Sequence, residues 1–212
     1  MTCVLQLRCR PFPPTFAIGT RLGDTAMLSR RAVMMAGGSL ALAVGPARAT
    51  AIMTDDGLYR EDWFLESFLE LADDRKSVAA AGKQLAVIWE QPGCPYCRET
   101  HLVNFAQKVA ETYIRDHFEV LQLNLRGSRI VTDFDGERLG ENQLAHKYGV
   151  RGTPIIQFFS DKDDLAQKAP LEREVSRIPG YMPPRAFLLM FAFVAERAYE
   201  RGSLRDYLRR QG

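Results

Sequence analysis

The sequence predicts an α/β domain, with a β-sheet covered by helices on both faces. Helix and strand patterns alternate along the chain from about residue 57 onward, which is typical of that class. One strand candidate is apolar without interruption, as expected when both faces of a strand are buried. No internal repeat or coiled-coil heptad interrupts this order, and 212 residues with 46% hydrophobic content are enough for one buried core.

The first half of the domain is predicted to run helix, strand, helix. Residues 59–81 have helical periodicity, and residues 85–89 are a short run of branched and aromatic side chains. A motif with two cysteines follows at residues 94–97, and apolar residues at helical spacing come after it. The cysteines are therefore expected where a central strand turns into a helix. The predicted apolar stripes are Trp63, Phe64, Phe68, Leu71 and Ala72 in the first helix, and Leu102, Phe105, Ala106, Val109 and Tyr113 in the second.

The second half continues the alternation. The pattern predicts a strand, a small inserted hairpin, a helix, two strands separated by a charged turn, and a last amphipathic helix. The tail after Gly202 is also expected to be helical. In order, these elements are predicted at residues 118–125, 126–140, 141–148, 155–159, 174–178 and 183–199.

The beginning of the chain has the pattern of an export signal. Ser29-Arg30-Arg31 precede an uncharged apolar stretch at residues 32–44, and Ala47-Arg48-Ala49 has the small-residue pattern of a cleavage site. The apolar stretch is too short to span a bilayer. The paired arginines favour the twin-arginine route, although the residues directly after them match that signal only in part.

Domain boundaries and charge follow from this signal. We expect a signal region at residues 1–49, with Met27 as an alternative start, and a single periplasmic domain at residues 50–212. The signal region holds six arginines and one acidic residue, so the mature domain keeps 22 basic and 25 acidic residues. Because its charge is near −3 and it has no basic run, we expect no nucleic-acid or anionic-membrane partner.

The cysteine count points to redox chemistry. Cys3 and Cys9 lie in the predicted signal region, which leaves Cys94 and Cys97 in the mature domain. Two cysteines are too few for a disulfide framework, and a pair three positions apart closes too small a loop to stabilise the fold much. A catalytic pair is the better interpretation.

The position of the pair assigns the two cysteines different roles. A thiolate is the nucleophile in disulfide exchange, and the N-terminus of a helix stabilises it. Cys94 occupies that position, and Pro95 suits the first helical turn, where no N–H is needed. Cys97 lies one turn inward, where it can attack the mixed disulfide and release the product. The spacing therefore predicts Cys94 as nucleophile and Cys97 as resolving thiol.

Several segments around the motif carry a family resemblance. They are Trp89-Glu90 before the motif, the inserted segment before residues 144–150, Gly152-Thr153-Pro154, and Gly180-Tyr181. Over roughly residues 57–200 the chain resembles the thioredoxin superfamily, and within it the SoxW-type periplasmic thioredoxins linked to bacterial sulfur oxidation. The resemblance implies a thioredoxin-like fold, in which a central mixed sheet is flanked by helices and a small insertion precedes the cis-proline region.

The resemblance also implies a docking site for substrate. Pro154 corresponds to the family's cis-proline, and the backbone of Thr153 beside it is expected to hold the extended chain of a partner. Pro95 and Tyr96 are further candidates for substrate contact, and the alternative for Tyr96 is that it only covers the helix start. No cofactor or metal is expected.

One position departs from the family pattern. Thioredoxins carry a buried Asp six residues before the first cysteine that helps to move protons to the resolving thiol, and this chain has Ile88 there. Glu90 could replace it through a water molecule if its carboxylate points inward; otherwise it is a solvated residue at a strand end. Glu90 is therefore the third candidate catalytic residue.

The direction of electron flow stays open in the sequence. Pro-Tyr between the cysteines is typical of glutaredoxins, whose potentials are about −200 to −230 mV, against about −270 mV for thioredoxin. Reduction of exported disulfide-containing proteins is favoured, and it requires a membrane electron donor for re-reduction. A disulfide-forming oxidase or an isomerase is the alternative. No dimerisation domain is recognisable, so a monomer is expected.

A metal-binding chaperone is the rival from another class. His101 stands four residues after Cys97 and could complete a copper or zinc site with both cysteines. Three candidate ligands make a weak metal motif. We expect His101 at the surface or beside the redox site, and His117 and His146 at the surface.

Overall fold

The computed structural model describes residues 51–162 and 164–211. The predicted export signal, with Cys3, Cys9 and Met27, lies outside the described residues. Within the described part, no helix is long and apolar enough to cross a membrane.

The described residues form short strands and helices in alternating order. The strands are β1 (Ile52–Met53), β2 (Tyr59–Arg60), β3 (Gln84–Glu90), β4 (Phe118–Asn124), β5 (Ile130–Thr132), β6 (Arg138–Gly140), β7 (Ile155–Phe159) and β8 (Glu174–Pro179). The α-helices are α1 (Leu71–Ala80), α2 (Pro95–Glu99), α3 (Lys108–His117), α4 (Glu141–Lys147), α5 (Pro184–Ala195) and α6 (Leu204–Arg210). A π-helix spans Thr100–Phe105, and 3-10 turns lie at Leu165–Gln167, Pro170–Glu172 and Ala198–Glu200.

A four-stranded mixed sheet forms the centre, in the order β4-β3-β7-β8. β3 runs parallel to β4 and antiparallel to β7, and β7 is antiparallel to β8. β3 is therefore an inner strand with helices on both sides, which explains why its residues 85–90 are all buried. The predicted class, an α/β fold with a central mixed sheet, is confirmed.

Alternate residues of β3 point into two apolar cores. Ala86 and Ile88 face a core built with α3, α5 and α6, whereas Val87 and Trp89 face a core built with α1 and α4. The first core is rich in edge-to-face aromatic pairs, such as Phe118 on Phe191 at 5.1 Å between ring centroids. Both faces of the strand that leads to the cysteines are thus held by packed side chains.

Two hairpins lie outside the central sheet. β5 and β6 pair in antiparallel fashion around a turn at residues 133–137, which confirms the small hairpin predicted before the third helical segment. β1 and β2 form a second, very short hairpin at the start of the described residues. It lies close to the cysteine motif, because Gly57 in its turn and Pro92 before Cys94 line one cleft.

The helix predicted over residues 59–81 is wrong for its first half, because only Leu71–Ala80 is helical. The preceding segment makes backbone hydrogen bonds to neighbouring elements instead, with Leu65 N–H donating to Val120 O at 2.9 Å. Leu69 adopts a left-handed φ of 63°, which breaks helical geometry. Phe68, placed on the apolar stripe by its spacing, is accordingly 98% exposed.

The helix predicted after the cysteines is divided. The π-helix at Thr100–Phe105 adds a residue to its turn, and Gln107 is extended before α3 begins. This shifts the helical phase, so that Val109 of the predicted stripe is 71% exposed while Ala110 and Ile114 are buried. The last predicted helix also ends early, at Ala195, and the left-handed Arg197 follows. The tail after Gly202 contains α6, as predicted.

Candidate active site

Cys94 lies at the point where β3 has turned into α2. It is the N-cap residue of that helix, Pro95 is the first helical residue, and Gly93 before it has a φ of +73°. The Cys94 Sγ accepts a hydrogen bond from the Cys97 N–H, with 3.1 Å between sulfur and nitrogen. A free N–H at a helix start stabilises negative charge on that sulfur. The local fold therefore favours a Cys94 thiolate when the pair is reduced.

The two cysteines form a disulfide in this structure. Their Cα atoms are 5.3 Å apart, and both residues are largely buried, with 9% of Cys94 and 3% of Cys97 exposed. Cys94 is thus the more accessible member of the pair. This order of exposure fits the predicted roles, because the attacking sulfur must meet a partner and the resolving sulfur only its neighbour.

The predicted docking backbone is next to the nucleophile. The Thr153–Pro154 peptide bond is cis, as the resemblance implied. The Thr153 carbonyl oxygen is 3.7 Å from Cys94 Sγ, and Pro154 is buried at the start of β7. Cys94 and Thr153 are about 60 positions apart in the sequence, and the fold places them in contact at the Cys94 sulfur atom.

Tyr96 and Pro95 form the exposed rim beside the cysteines. Tyr96 is 57% exposed and stacks on Tyr181 with 6.2 Å between ring centroids. Tyr181 comes from the turn after β8, so the rim joins α2 to a distant part of the chain. The stack leaves the outer face of Tyr96 open to solvent. Both predicted contact residues are thus positioned where a partner would reach them.

Glu90 points inward, which is the condition that its predicted role requires. The residue is fully buried, and its carboxylate oxygens lie 3.0 and 3.1 Å from Nε2 of His101. Gln122 of β4 donates a further hydrogen bond from its amide to Glu90. Glu90 lies two residues after Ile88 on the same face of β3. The chain therefore has a buried acid two positions after the one at which the resemblance implies a buried Asp.

The surface position expected for His101 is wrong. His101 is fully buried in the π-helix, with Nδ1 2.9 Å from Oε1 of Glu61 and Nε2 on Glu90. Burial lowers the pKa of this imidazole, but the hydrogen bonds and charges of Glu61 and Glu90 outweigh burial and raise it to about 9. His101 is therefore an imidazolium at neutral pH. His146 is exposed, as expected, and His117 is partly buried against Tyr113.

The members of this cluster have weak signals in the sequence. Gln122 is a polar residue inside an otherwise apolar strand, which marks a buried polar contact. Glu61 lies in a segment with helical spacing that does not form a helix, and nothing in its neighbourhood distinguishes it. His101 is distinguished in the sequence by its spacing from Cys97. In the described part of the chain, no group of three or more His, Cys, Asp or Glu side chains is arranged to hold a metal ion.

An open cleft of about 520 Å³ adjoins the cysteines on the side of the first hairpin. Its lining is mostly apolar and includes Leu58, Pro92 and both cysteines, with Glu90 at its base and Arg98 on α2. The volume admits several water molecules. Water in this cleft can therefore approach the cysteines, whereas the Glu90 side chain is fully buried beside it.

The chain can be assigned to a family by its sequence. A family model described as a thioredoxin-like domain matches residues 71–195, which is more than half of the chain. The chain belongs to this thioredoxin-like family. A search among curated proteins gives no match.

Solved structures with related folds are more distant. A thioredoxin-fold protein from Helicobacter pylori is 22% identical, with a TM-score of 0.47 over 64% of this chain and 96% of that one. A thioredoxin from Thermus thermophilus is 24% identical, with a TM-score of 0.42 over 57% and 82%. The C-terminal domain of DsbD from Neisseria meningitidis, in its oxidised form, is 13% identical, with a TM-score of 0.40 over 61% and 96%.

The family and the cysteine geometry together establish the type of enzyme. The protein is a thioredoxin-like thiol-disulfide oxidoreductase, with its paired cysteines at the start of α2. Thioredoxin-like proteins act on partners that carry disulfides.

Proposed function

We propose that this protein is a periplasmic reductase of disulfides in exported proteins. The observation that carries the proposal is the placement of Cys94 Sγ, which lies between the Cys97 N–H at 3.1 Å and the Thr153 carbonyl at 3.7 Å. The Cys97 N–H stabilises a Cys94 thiolate, and the Thr153 carbonyl is a backbone hydrogen-bond acceptor beside it. A partner chain hydrogen-bonded at Thr153 would present its disulfide directly to the nucleophile.

The reaction begins on the reduced enzyme. The Cys94 thiolate attacks one sulfur of the partner's disulfide, a Cys94–partner bond forms, and the other partner sulfur leaves as a thiolate. Cys97 then loses its proton, attacks Cys94 Sγ and displaces the second partner thiolate. Two electrons pass from the cysteine pair to the partner, and the enzyme is left with the Cys94–Cys97 disulfide seen here.

The proton released by Cys97 needs an acceptor in a buried setting. Glu90 is the carboxylate among the residues that line the cleft together with Cys97. A water molecule in the cleft would carry the proton from the thiol to the carboxylate. Thr153 and Pro154 would hold the partner, with Pro95 and Tyr96 completing the contact surface.

The pathway follows from the export signal proposed for residues 1–49. A reductase outside the cytoplasm must receive electrons across the membrane, so we propose a membrane electron carrier as its donor. The motif and its flanking segments resemble SoxW-type thioredoxins, which supports a partner in sulfur oxidation. An oxidase or isomerase activity remains the alternative that the direction of electron flow would decide.

Two cysteine variants test this proposal. Cys94→Ser should abolish reduction of a protein disulfide, because the attacking thiolate is gone. Cys97→Ser should instead accumulate a mixed disulfide on Cys94, visible by non-reducing electrophoresis and mass spectrometry. Full activity of Cys94→Ser would exclude the mechanism, and the absence of any trapped species in Cys97→Ser would remove Cys97 from its resolving role.

A further inference from the structure

A buried charged cluster includes Glu90, which lines the same cleft as the cysteines. It consists of Glu61 from the loop after β2, Glu90 from β3 and His101 from the π-helix, and at most 2% of any of them is exposed. The imidazole stands between the two carboxylates, with 2.9 Å to Glu61 and 3.0 Å to the nearer oxygen of Glu90. Both ring nitrogens of His101 are thus engaged.

Buried charge on this scale requires compensation. An ionised carboxylate transferred to a protein interior is costly unless a charge or hydrogen bonds offset it. The imidazolium of His101 offsets one carboxylate charge, and the amide of Gln122 donates to Glu90 in addition.

Apart from Glu61 and Glu90, the described contacts of the His101 ring are aromatic. Its ring lies among the rings of Tyr59, Phe64 and Phe105, at centroid distances of 6.1, 5.6 and 5.4 Å. Tyr59 of β2 is the titratable group among them, and Glu61 and Glu90 are the charged groups that shift the pKa of His101. The protonation of His101 therefore depends on its two carboxylates.

His101 lies on the same buried side of the helical run as Cys97, at the start of the π-helix. His101 follows Cys97 by four residues, and its carbonyl accepts the wide-turn hydrogen bond from the Ala106 N–H at 3.1 Å. Wide turns of this kind lie frequently at functional sites. The same helical run therefore carries both Cys97 and His101. Among the described residues, His101 is the only ion-pair partner of Glu90.

We propose that His101 is a positioning residue for the resolving step: held by Glu61, it holds the carboxylate of Glu90 in the orientation in which Glu90 receives the Cys97 proton. The inference rests on the function proposed above and adds two residues to it. Without the imidazole, the Glu90 carboxylate loses both contacts to His101 and keeps the hydrogen bond from Gln122. It would then no longer be fixed for the proton transfer.

The proton balance of the step is simple. The Cys97 S–H bond breaks and an O–H bond forms on Glu90 through a water molecule, while the Cys97 thiolate attacks Cys94 Sγ. The bond from Cys94 to the partner's sulfur breaks, and that sulfur leaves with the electron pair. Glu90 later returns its proton through the cleft to the departing thiolate or to solvent.

The test follows the mixed disulfide directly. Reduced enzyme is mixed with excess 2-hydroxyethyl disulfide, quenched in acid at set times and analysed by mass spectrometry, which separates formation of the Cys94 adduct from its decay. In His101→Gln at about pH 7, we expect decay to slow about 10-fold or more, with formation changed by less than about twofold. His146→Gln, at an exposed histidine, is the matched control and should behave as wild type.

A second variant covers the case in which His101→Gln does not fold. Glu61→Gln keeps a hydrogen-bond acceptor for the imidazole but removes one of the charges that raise the His101 pKa to about 9. We expect its adduct to decay about threefold more slowly than wild type at about pH 8, where the imidazole has lost part of its charge, and at the wild-type rate at about pH 6. Equal rates at both pH values would overturn the proposal.

Combination with Glu90→Gln separates a positioning role from a merely structural one. Because His101 and Glu61 are proposed to act through Glu90, their variants should add nothing to the slowing caused by Glu90→Gln. Additive slowing, or equal slowing of formation and decay, would overturn the proposal. Retained activity in Cys94→Ser would instead contradict the proposed function itself, so the two failures are distinguishable.

Discussion

The imidazole of His101 and the carboxylate of Glu90 form a fully buried ion pair, with Nε2 3.0 and 3.1 Å from the two carboxylate oxygens. Glu90 of this pair lies two residues after Ile88 on β3. Because His101 is charged in this pair, the free energy of unfolding of the domain should depend on pH.

The stability of the domain should fall as the pH rises past neutrality. The His101 pKa is raised from 6.5 to about 9 in the folded chain, so its stabilising effect is complete below about pH 6.5 and is lost as the pH rises through about 9. This rise in the His101 pKa on folding corresponds to about 3 kcal/mol in the free energy of unfolding. Urea unfolding from pH 6 to 10 measures it.

Two variants give this measurement its controls. His101→Gln should have a lower unfolding free energy at about pH 6 and should lack the decrease toward about pH 9, because the titrating group is gone. His146→Gln should keep the wild-type profile. A wild-type profile that is flat over this interval would contradict the buried imidazolium.

A second buried ion network should contribute strongly to stability. Arg173 is 2% exposed and contacts Asp133, Asp135 and the Tyr148 hydroxyl, at 2.8, 2.7 and 2.9 Å. Arg173→Met keeps an unbranched apolar stem in place of the aliphatic part of the arginine but leaves the buried Asp133 with less compensation, so we expect a loss of about 3 kcal/mol in urea unfolding. Arg209→Met, in an exposed ion pair, should change the unfolding free energy by less than about 0.5 kcal/mol. Equal losses in the two variants would contradict the account of this network.

Tyr96 should affect the binding of protein substrates. Its side chain is 57% exposed on the rim and is supported by the Tyr181 ring, so its removal takes away contact surface without leaving a cavity in the core. For Tyr96→Ala we expect kcat/KM for a protein disulfide to fall about fivefold, mainly through KM. Activity on 2-hydroxyethyl disulfide should be unchanged. Phe68→Ala, at a fully exposed ring elsewhere, is the control, and an equal loss with the small disulfide would contradict a docking role.

Copper binding should not depend on His101. Both of its ring nitrogens already face carboxylates, so coordination of a metal with the cysteines would require breaking two buried contacts. We expect Cu(I) titration of anaerobically reduced protein to give the same affinity for wild type and His101→Gln. Stoichiometric copper in the purified protein that is lost in His101→Gln would favour the metal-chaperone alternative.

The parts of the fold that the sequence predicted well are those set by local pattern. The apolar run of β3 and the strand-to-helix position of Cys94 depend on neighbouring residues, and both are confirmed. The cis bond at Pro154 came from the family resemblance and is also confirmed. These features require no knowledge of distant contacts.

Tertiary contacts decided the positions that were wrong. The segment before α1 has helical spacing, but the hydrogen bond from Leu65 to Val120 holds it in another conformation. The π-helix turned Val109 outward, and a periodicity of 3.6 residues cannot anticipate an inserted residue. His101 is buried because its two ring nitrogens contact Glu61 and Glu90, which local spacing does not reveal. The pairing of Glu61 with His101 joins segments 40 residues apart and has no local signature.

The equilibrium reduction potential of the Cys94–Cys97 pair tests the central claim most directly. Alkylation after incubation in graded thiol redox buffers gives the fraction of the pair that is reduced at each buffer potential. A reductase of exported disulfides predicts a value near or below about −220 mV. A value above about −150 mV would contradict it, because such a pair donates its disulfide to partners instead of reducing theirs.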